Sequence, residues 1–255
     1  MPDELIRATD HDGIRELRLD RPPVNALSPR LLADLDRAVA AAPSEGARAL
    51  VLSGREGMFT GGLDILELAK LDRSRMRDAL GGFFAIMHTL AVSPIPVAAA
   101  ITGHSPAGGL VLALFCDHRV MEDGTWQIGL NEVRIGIPMP ATVVAAAART
   151  VGPRRAEEMC TTGRLFTPRE AEAYGLVDRV VEPGTSVATA VAWCRDVTSV
   201  PPEALLLTRQ RGRRDLVELV ERHRDGDAVA LLEAWFRPEM QTSLRALVER
   251  LGGRR

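Results

Sequence analysis

Two short apolar runs, Ala49-Leu50-Val51-Leu52 and Pro96 to Ile101, constrain this chain most, because each runs straight into turn-forming, glycine-rich sequence. Apolar runs of this length bounded by turn residues read as buried strands. The first is followed by Ser53-Gly54 and a glycine-rich loop at 57–62. The second is followed by Gly103 and then a helix from about Gly108 to Phe115. The remaining elements extend the alternation. Residues 5–9 and 14–19 flank Asp12-Gly13, a hairpin turn signal. Ser28-Pro29 supplies an N-cap and a first-turn proline, and Leu31, Leu35 and Val39 follow at helical spacing. Ser74 to Val92 is a long helix with Met76, Leu80, Phe84, Met87 and Ala91 on one face.

His118 to Met121 and Trp126 to Gly129 read as short strands around the turn Asp123-Gly124. Thr167-Pro168-Arg169-Glu170 is a capping box, and Leu176 to Val181 closes this part as a strand. After Pro183 only helices are expected, at 186–199, 202–211, 214–223, 227–236 and 238–251. Strands alternate with helices first and helices alone follow, which gives an α/β spiral core with a helical C-terminal part.

At 255 residues the chain is long enough for one large domain or two small ones. A net charge of −2 gives no reason to expect a nucleic-acid partner, and Lys70 is the only lysine among 32 basic residues. Cys116, Cys160 and Cys194 are odd in number and widely spaced, and read as reduced, buried thiols. Met1-Pro2-Asp3-Glu4 opens without a basic stretch or apolar core, and no apolar run approaches a membrane span. The expectation is a soluble, cytoplasmic protein that does not enter membranes.

Three segments can carry chemistry. In Phe59-Thr60-Gly61-Gly62-Leu63-Asp64 the two glycines allow a sharp turn and close approach of a ligand. Asp64 would cap the following helix and leave the Leu63 amide free to point elsewhere. A plain strand-to-helix turn explains the same residues. Gly103-His104-Ser105-Pro106-Ala107-Gly108-Gly109 lacks both a phosphate-loop ending and dinucleotide-fold spacing. It does offer a helix start whose first amides have no intrahelical partner, so the Gly108 amide could reach a developing oxyanion. Tight helix-on-strand packing accounts for these glycines equally well. Glu132 stands in the mostly apolar stretch Ile128 to Pro138, where a partly desolvated carboxylate could act as a base near neutral pH. The alternative is a surface glutamate paired with Arg134. No GxSxG supports Ser53 or Ser105 as a nucleophile, and the five histidines show no metal-ligand spacing, so no metal is expected.

Taken together, these segments resemble the enoyl-CoA hydratase/isomerase (crotonase) superfamily. Arg21-Pro22-Pro23-Val24-Asn25-Ala26-Leu27 is similar to its N-terminal signature. Phe59 to Ile65 looks like its first oxyanion loop, and Gly103 to Asp117 like its second oxyanion loop and helix. Thr162 to Phe166, Glu170-Ala171 and Tyr174 to Asp178 match a further family stretch. The resemblance covers about residues 5 to 182. It implies a crotonase-type ββα spiral core over 1–195 that binds acyl-coenzyme A, and a helical trimerisation region over 196–255. It implies that the Leu63 and Gly108 amides form an oxyanion hole and that Glu132 acts as acid and base. Val24, Ala26, Leu27, Gly61, Gly62, Asp64 and Ile65 would hold the thioester, with Val111 beside it and coenzyme A entering only as part of the substrate. The family's hydratases use a second glutamate, and it maps to Val111, which cannot transfer a proton.

The pattern is closest to the single-glutamate Δ3,Δ2-enoyl-CoA isomerases. The alternatives are a hydratase or another enolate reaction, with His104, Glu56 or Glu67 as a second group, and a member that binds coenzyme A esters without turnover. The resemblance also implies a homotrimer or hexamer. Leu231, Leu232, Trp235 and Phe236, and Leu244, Leu247 and Leu251, are the apolar faces expected to build it.

Overall fold

The computed structural model describes residues 4–252; Met1, Pro2 and Asp3, read above for a leader, and the side chain of Leu251 lie outside the described residues. Strands β1 (Ile6–Asp10) and β2 (Ile14–Leu19) form the expected antiparallel hairpin. Its turn has Asp12 and Gly13 both at positive φ, 58° and 82°, the pair of left-handed residues that matches a twisted hairpin. Helix α1 (Pro29–Ala41) follows, capped by the Ser28 side chain. Then come β3 (Ala49–Ser53), the two-residue β4 (Gly57–Met58), and helices α2 (Ile65–Leu68) and α3 (Arg73–Val92). Strands β5 (Val97–Ile101) and β6 (Gly103–Pro106) lead into α4 (Gly108–Leu114), and β7 (His118–Glu122) and β8 (Ile128–Gly129) lead into a 3-10 turn at Glu132–Ile135. Helices α5 (Ala141–Val151), α6 (Pro153–Thr162) and α7 (Pro168–Tyr174), strand β9 (Arg179–Val181), and helices α8 (Ser186–Val197), α9 (Pro202–Gly212), α10 (Arg214–Trp235) and α11 (Pro238–Gly252) complete the chain.

The strands build two sheets. One has six strands in the order β1-β2-β3-β5-β7-β9, parallel from β2 onward; the other has three, in the order β4-β6-β8, also parallel. The first turn places β1 and β2 together in the large sheet; from β3 to β8 each turn places one strand in the large sheet and the next in the small one, then leaves through a helix. This is the ββα spiral that the resemblance implies. The unbroken apolar runs now have a cause. Leu50, Leu52, Val97, Ala99 and Ile101 face the main core, while Ala49, Val51, Ala98 and Ala100 face a second layer covered by Ala190, Val191 and Cys194 of α8. Strands buried on both faces cannot alternate apolar with polar residues.

Several sequence-based boundaries need correction. Residues 103–106, read as a loop, are a strand because β6 pairs on both sides, with β4 and with β8. The strand expected over Leu176–Val181 is only Arg179–Val181, and that over Trp126–Gly129 only Ile128–Gly129. The two helices expected at 214–223 and 227–236 are one, α10, continuous through Gly226. Helices α5 and α6 were not anticipated: neither has a capping side chain of its own, their N-caps being Pro140 and Gly152. Leu231, Leu232, Trp235, Leu244 and Leu247 are buried inside this chain, where α10 lies along α3 and α5 and α11 meets α10. These five residues of the apolar faces expected to form a subunit interface are therefore covered by the chain itself, while Phe236 is half-buried. The three cysteines are unpaired and buried, and burial pushes the Cys116 and Cys194 thiols up to about 12.

Candidate functional site

The three candidate segments are equivalent corners of the spiral. Each follows one strand of the small parallel sheet: Leu63 lies just beyond β4, Gly108 just beyond β6 and Glu132 just beyond β8. With β6 in the centre, the topology brings all three to the carboxyl end of one sheet, where the loops of parallel sheets commonly bind ligands.

The first corner is held by the segment before α1. Leu27 pairs with Leu63, its amide donating to the Gly62 carbonyl (2.8 Å) and its carbonyl accepting from the Asp64 amide (3.1 Å). Val24 O accepts from Gly61 N (2.8 Å). Successive amides of an extended segment face opposite sides, so this pairing turns the Leu63 amide away from Leu27. Asp64 caps α2 by accepting from Glu67 N (2.9 Å) and pairs with Arg21 (2.6 Å). Ile65 and Leu27 are buried, Ala26 is half-buried, and Val24 and Gly61 are exposed at the rim.

Residues without an assigned role hold these loops together. Asn25 is buried with φ 49°, a left-handed conformation that asparagine tolerates. Its amide nitrogen donates to Phe59 O (3.0 Å) and Met58 O (3.3 Å), its side-chain oxygen accepts from Arg21 N, and its backbone carbonyl accepts from the Thr60 hydroxyl (2.7 Å). Thr60 Oγ1 in turn accepts from Gly62 N (3.1 Å). The only signal in the sequence was the presence of Asn25 within the Arg21–Leu27 motif.

The second corner presses against the first. Gly62 has φ 87°, and a side-chain carbon there would stand 3.1 Å from Ala107 Cβ and 3.3 Å from Gly108 N. A carbon on Gly108 would stand 2.9 Å from Leu27 Cδ1 and 3.5 Å from Leu63 N. The two glycines are what allow the two loops to meet. Ala107, at φ 50° and ψ −122°, is a non-glycine residue in a sparsely occupied region, fixed by the hydrogen bond its N–H donates to Gly129 O (2.8 Å). It sets the direction of the Gly108 amide, which as the first of α4 has no partner within that helix. Val111, one turn further along α4, is buried among apolar residues.

Glu132 opens the 3-10 turn at the third corner. It does not pair with Arg134, whose Nε donates to Gly163 O (2.7 Å) instead. The residue as a whole is half-buried, but Oε2 is enclosed and has no hydrogen-bond partner among the described residues. Burial pushes its carboxyl from 4.5 up to about 7, partly offset by a backbone hydrogen bond. Cys160 of α6 lies within electrostatic reach, and burial together with the Glu132 charge raises its thiol to about 11.

Two of the suspected second groups, Glu67 and His104, are engaged by other residues. Glu56 is exposed, Glu67 pairs with Arg21 (3.4 Å), and His104 Nδ1 accepts from Gln127 N while its ring meets Trp126 edge-on. Ser53 donates to Glu16, and Ser105 is fully buried. Among the described residues no three His, Cys, Asp or Glu side chains gather as metal ligands, and no helix is long and apolar enough to cross a membrane.

Residues 9–253 match the model of the family described as enoyl-CoA hydratase/isomerase. The chain is 31% identical over 250 residues to human enoyl-CoA delta isomerase 1, mitochondrial, covering 97% of this chain and 83% of that protein. It is 35% identical over 216 residues to the probable enoyl-CoA hydratase EchA17 of Mycobacterium tuberculosis, covering 83% and 81% respectively. The crystal structure of human mitochondrial delta3-delta2-enoyl-CoA isomerase superposes with a TM-score of 0.94 at 28% identity, covering 99% of this chain and 100% of that one.

Proposed function

This chain belongs to the enoyl-CoA hydratase/isomerase family, and from that premise we propose that it is an enzyme that shifts the double bond of a 3-enoyl-CoA thioester to position 2. The observation that carries this reading is the enclosed carboxyl of Glu132, raised to about 7. The position that the family resemblance gives to a second carboxylate is Val111, which is buried and apolar. An allylic shift removes a proton from C2 and returns one to C4, so one carboxyl can serve as base and then as acid. Hydration needs an activated water and a separate proton delivery.

In this mechanism the thioester oxygen accepts hydrogen bonds from the Leu63 and Gly108 amides. Negative charge gathers on that oxygen as Glu132 takes the C2 proton, and preorganised amides stabilise it most when the charge is greatest. The closeness of the Gly62–Leu63 and Ala107–Gly108 backbones supports this assignment. The loops at 24–27 and 61–65 hold the coenzyme A portion, largely through backbone groups, and no cofactor is required beyond it. Similarity to a probable hydratase keeps hydration as the competing activity. The test compares rates on 3-enoyl-CoA and on 2-enoyl-CoA with the same enzyme. Isomerisation should dominate; hydration at an equal or greater rate overturns the assignment.

A further inference from the structure

The loop that carries Glu132 is tied down by a residue 95 positions away in the sequence. From Gly136 the chain runs through Pro138 and Pro140, which have no amide hydrogen to donate, into α5. The upstream end of this stretch is fixed by the 3-10 turn, where Ile137 N donates to Glu132 O (3.0 Å) and Gly136 N to Val133 O (3.1 Å). The downstream end has no local cap, because Pro140 has no side-chain oxygen. Asp227 of α10 supplies it. Its carboxylate accepts from Ala141 N (3.1 Å), Thr142 N (2.7 Å) and the buried Thr142 hydroxyl (2.6 Å). A charge here also faces the positive end of the 11-residue α5. The C-terminal arm touches the same loop a second time, where Gly136 backs onto Ser243 and Met240 of α11.

We infer that Asp227 is a positioning residue for Glu132: by holding the first turn of α5 it fixes the segment that aims the catalytic carboxyl, so the C-terminal arm controls turnover within its own chain. This rests on the isomerase reading of Glu132. An ordinary tertiary cap would affect only stability. A positioning cap must also affect turnover in molecules that remain folded, since displacement of a reacting group by about 1 Å can cost about 100-fold.

The test uses Asp227→Asn, which keeps the shape but loses the charge and one acceptor, and Asp227→Ala. Sites are counted by titration with a saturated acyl-CoA, which cannot isomerise, and kcat on a 3-enoyl-CoA is expressed per intact site. The expected result is a kcat lower by about tenfold for asparagine and up to about 100-fold for alanine. KM should stay within about twofold, because the loops that hold coenzyme A are untouched. Hydrogen exchange should speed up in peptides covering 132–142 and stay unchanged over 97–101. Wild-type kcat per intact site in both variants overturns the inference, as does unchanged exchange over 132–142. If Glu132→Gln leaves kcat intact, it is the isomerase reading that fails, and the exchange data still decide whether Asp227 holds the loop.

Discussion

Replacing Glu132 with glutamine keeps the shape of the side chain and removes the base, and the structure sets the size of two opposite effects. With the carboxyl at about 7, roughly half of wild-type molecules carry the carboxylate at pH 7 and about a tenth at pH 6. The wild-type kcat/KM should therefore fall about tenfold per pH unit below 7. The variant should lose that limb and turn over about 10²–10⁴-fold more slowly at pH 8, with thioester affinity little changed. Stability should move the other way. A carboxyl raised on folding binds its proton more tightly in the native state. The resulting cost is absent below 4.5, grows as pH rises through the interval, and is complete above about 7. At about 1.4 kcal/mol per tenfold this reaches about 3 kcal/mol. The amide recovers only part of it, since its own unsatisfied group costs about 1–3 kcal/mol. Glu132→Gln should thus melt a few degrees above wild type at pH 8 and no higher at pH 4, at about 2–4 °C per kcal/mol for a chain of this size. A spectrophotometric isomerisation assay and melting curves at both pH values check this. Unchanged turnover at pH 8 would mean that Glu132 is not the base, and a variant that melts below wild type there would mean that its carboxylate is not destabilised by burial.

Gly108→Ala would place a methyl carbon 3.5 Å from Leu63 N and 2.9 Å from the mobile end of the Leu27 side chain. It keeps both amides but fills the space between them, so kcat should fall in a folded protein, by at most the roughly 10²–10³-fold that outright loss of one such donor costs; a wild-type kcat means that space is not used. Val111→Glu restores the second carboxylate and should raise hydration of 2-enoyl-CoA. Because it buries a charge, melting must first show that it folds; a folded variant with unchanged hydration contradicts the role given to Val111. Light scattering at micromolar concentration should show a trimer or hexamer, assembled through surface other than the buried faces of α10 and α11. The 11-residue α9, which buries none of its residues, remains available; a monomer rules this out.

How much of this was legible in the sequence depends on how local the cause was. The Asp12-Gly13 hairpin, the doubly buried runs at 49–53 and 97–101, and the Thr167–Glu170 capping box are each specified by adjacent residues, and each is present. β4 and β6, both read as loop, were obscured because strands of two and four residues carry no readable period. α5 was hidden because its cap is Asp227, supplied from α10. The break expected at Gly226 reflected a local propensity that tertiary packing of α10 overrides. At the site, Leu63, Gly108 and Glu132 each had an ordinary packing or surface explanation when taken singly, and only their shared order suggested a common role. Their equivalence as corners after β4, β6 and β8 depends on the small sheet. The enclosure of Glu132 Oε2 depends on elements contributed by distant segments, which residue spacing does not encode.

If one carboxyl carries the proton from C2 to C4, its path can be followed with a 3-enoyl-CoA deuterated at C2, converted in ordinary water and analysed after a small fraction of turnover. Glu132 Oε2 is enclosed and makes no hydrogen bond to another described residue. A substantial share of the deuterium removed from C2 should therefore appear at C4 of the product. A product whose new C4 hydrogen comes entirely from water would contradict that path.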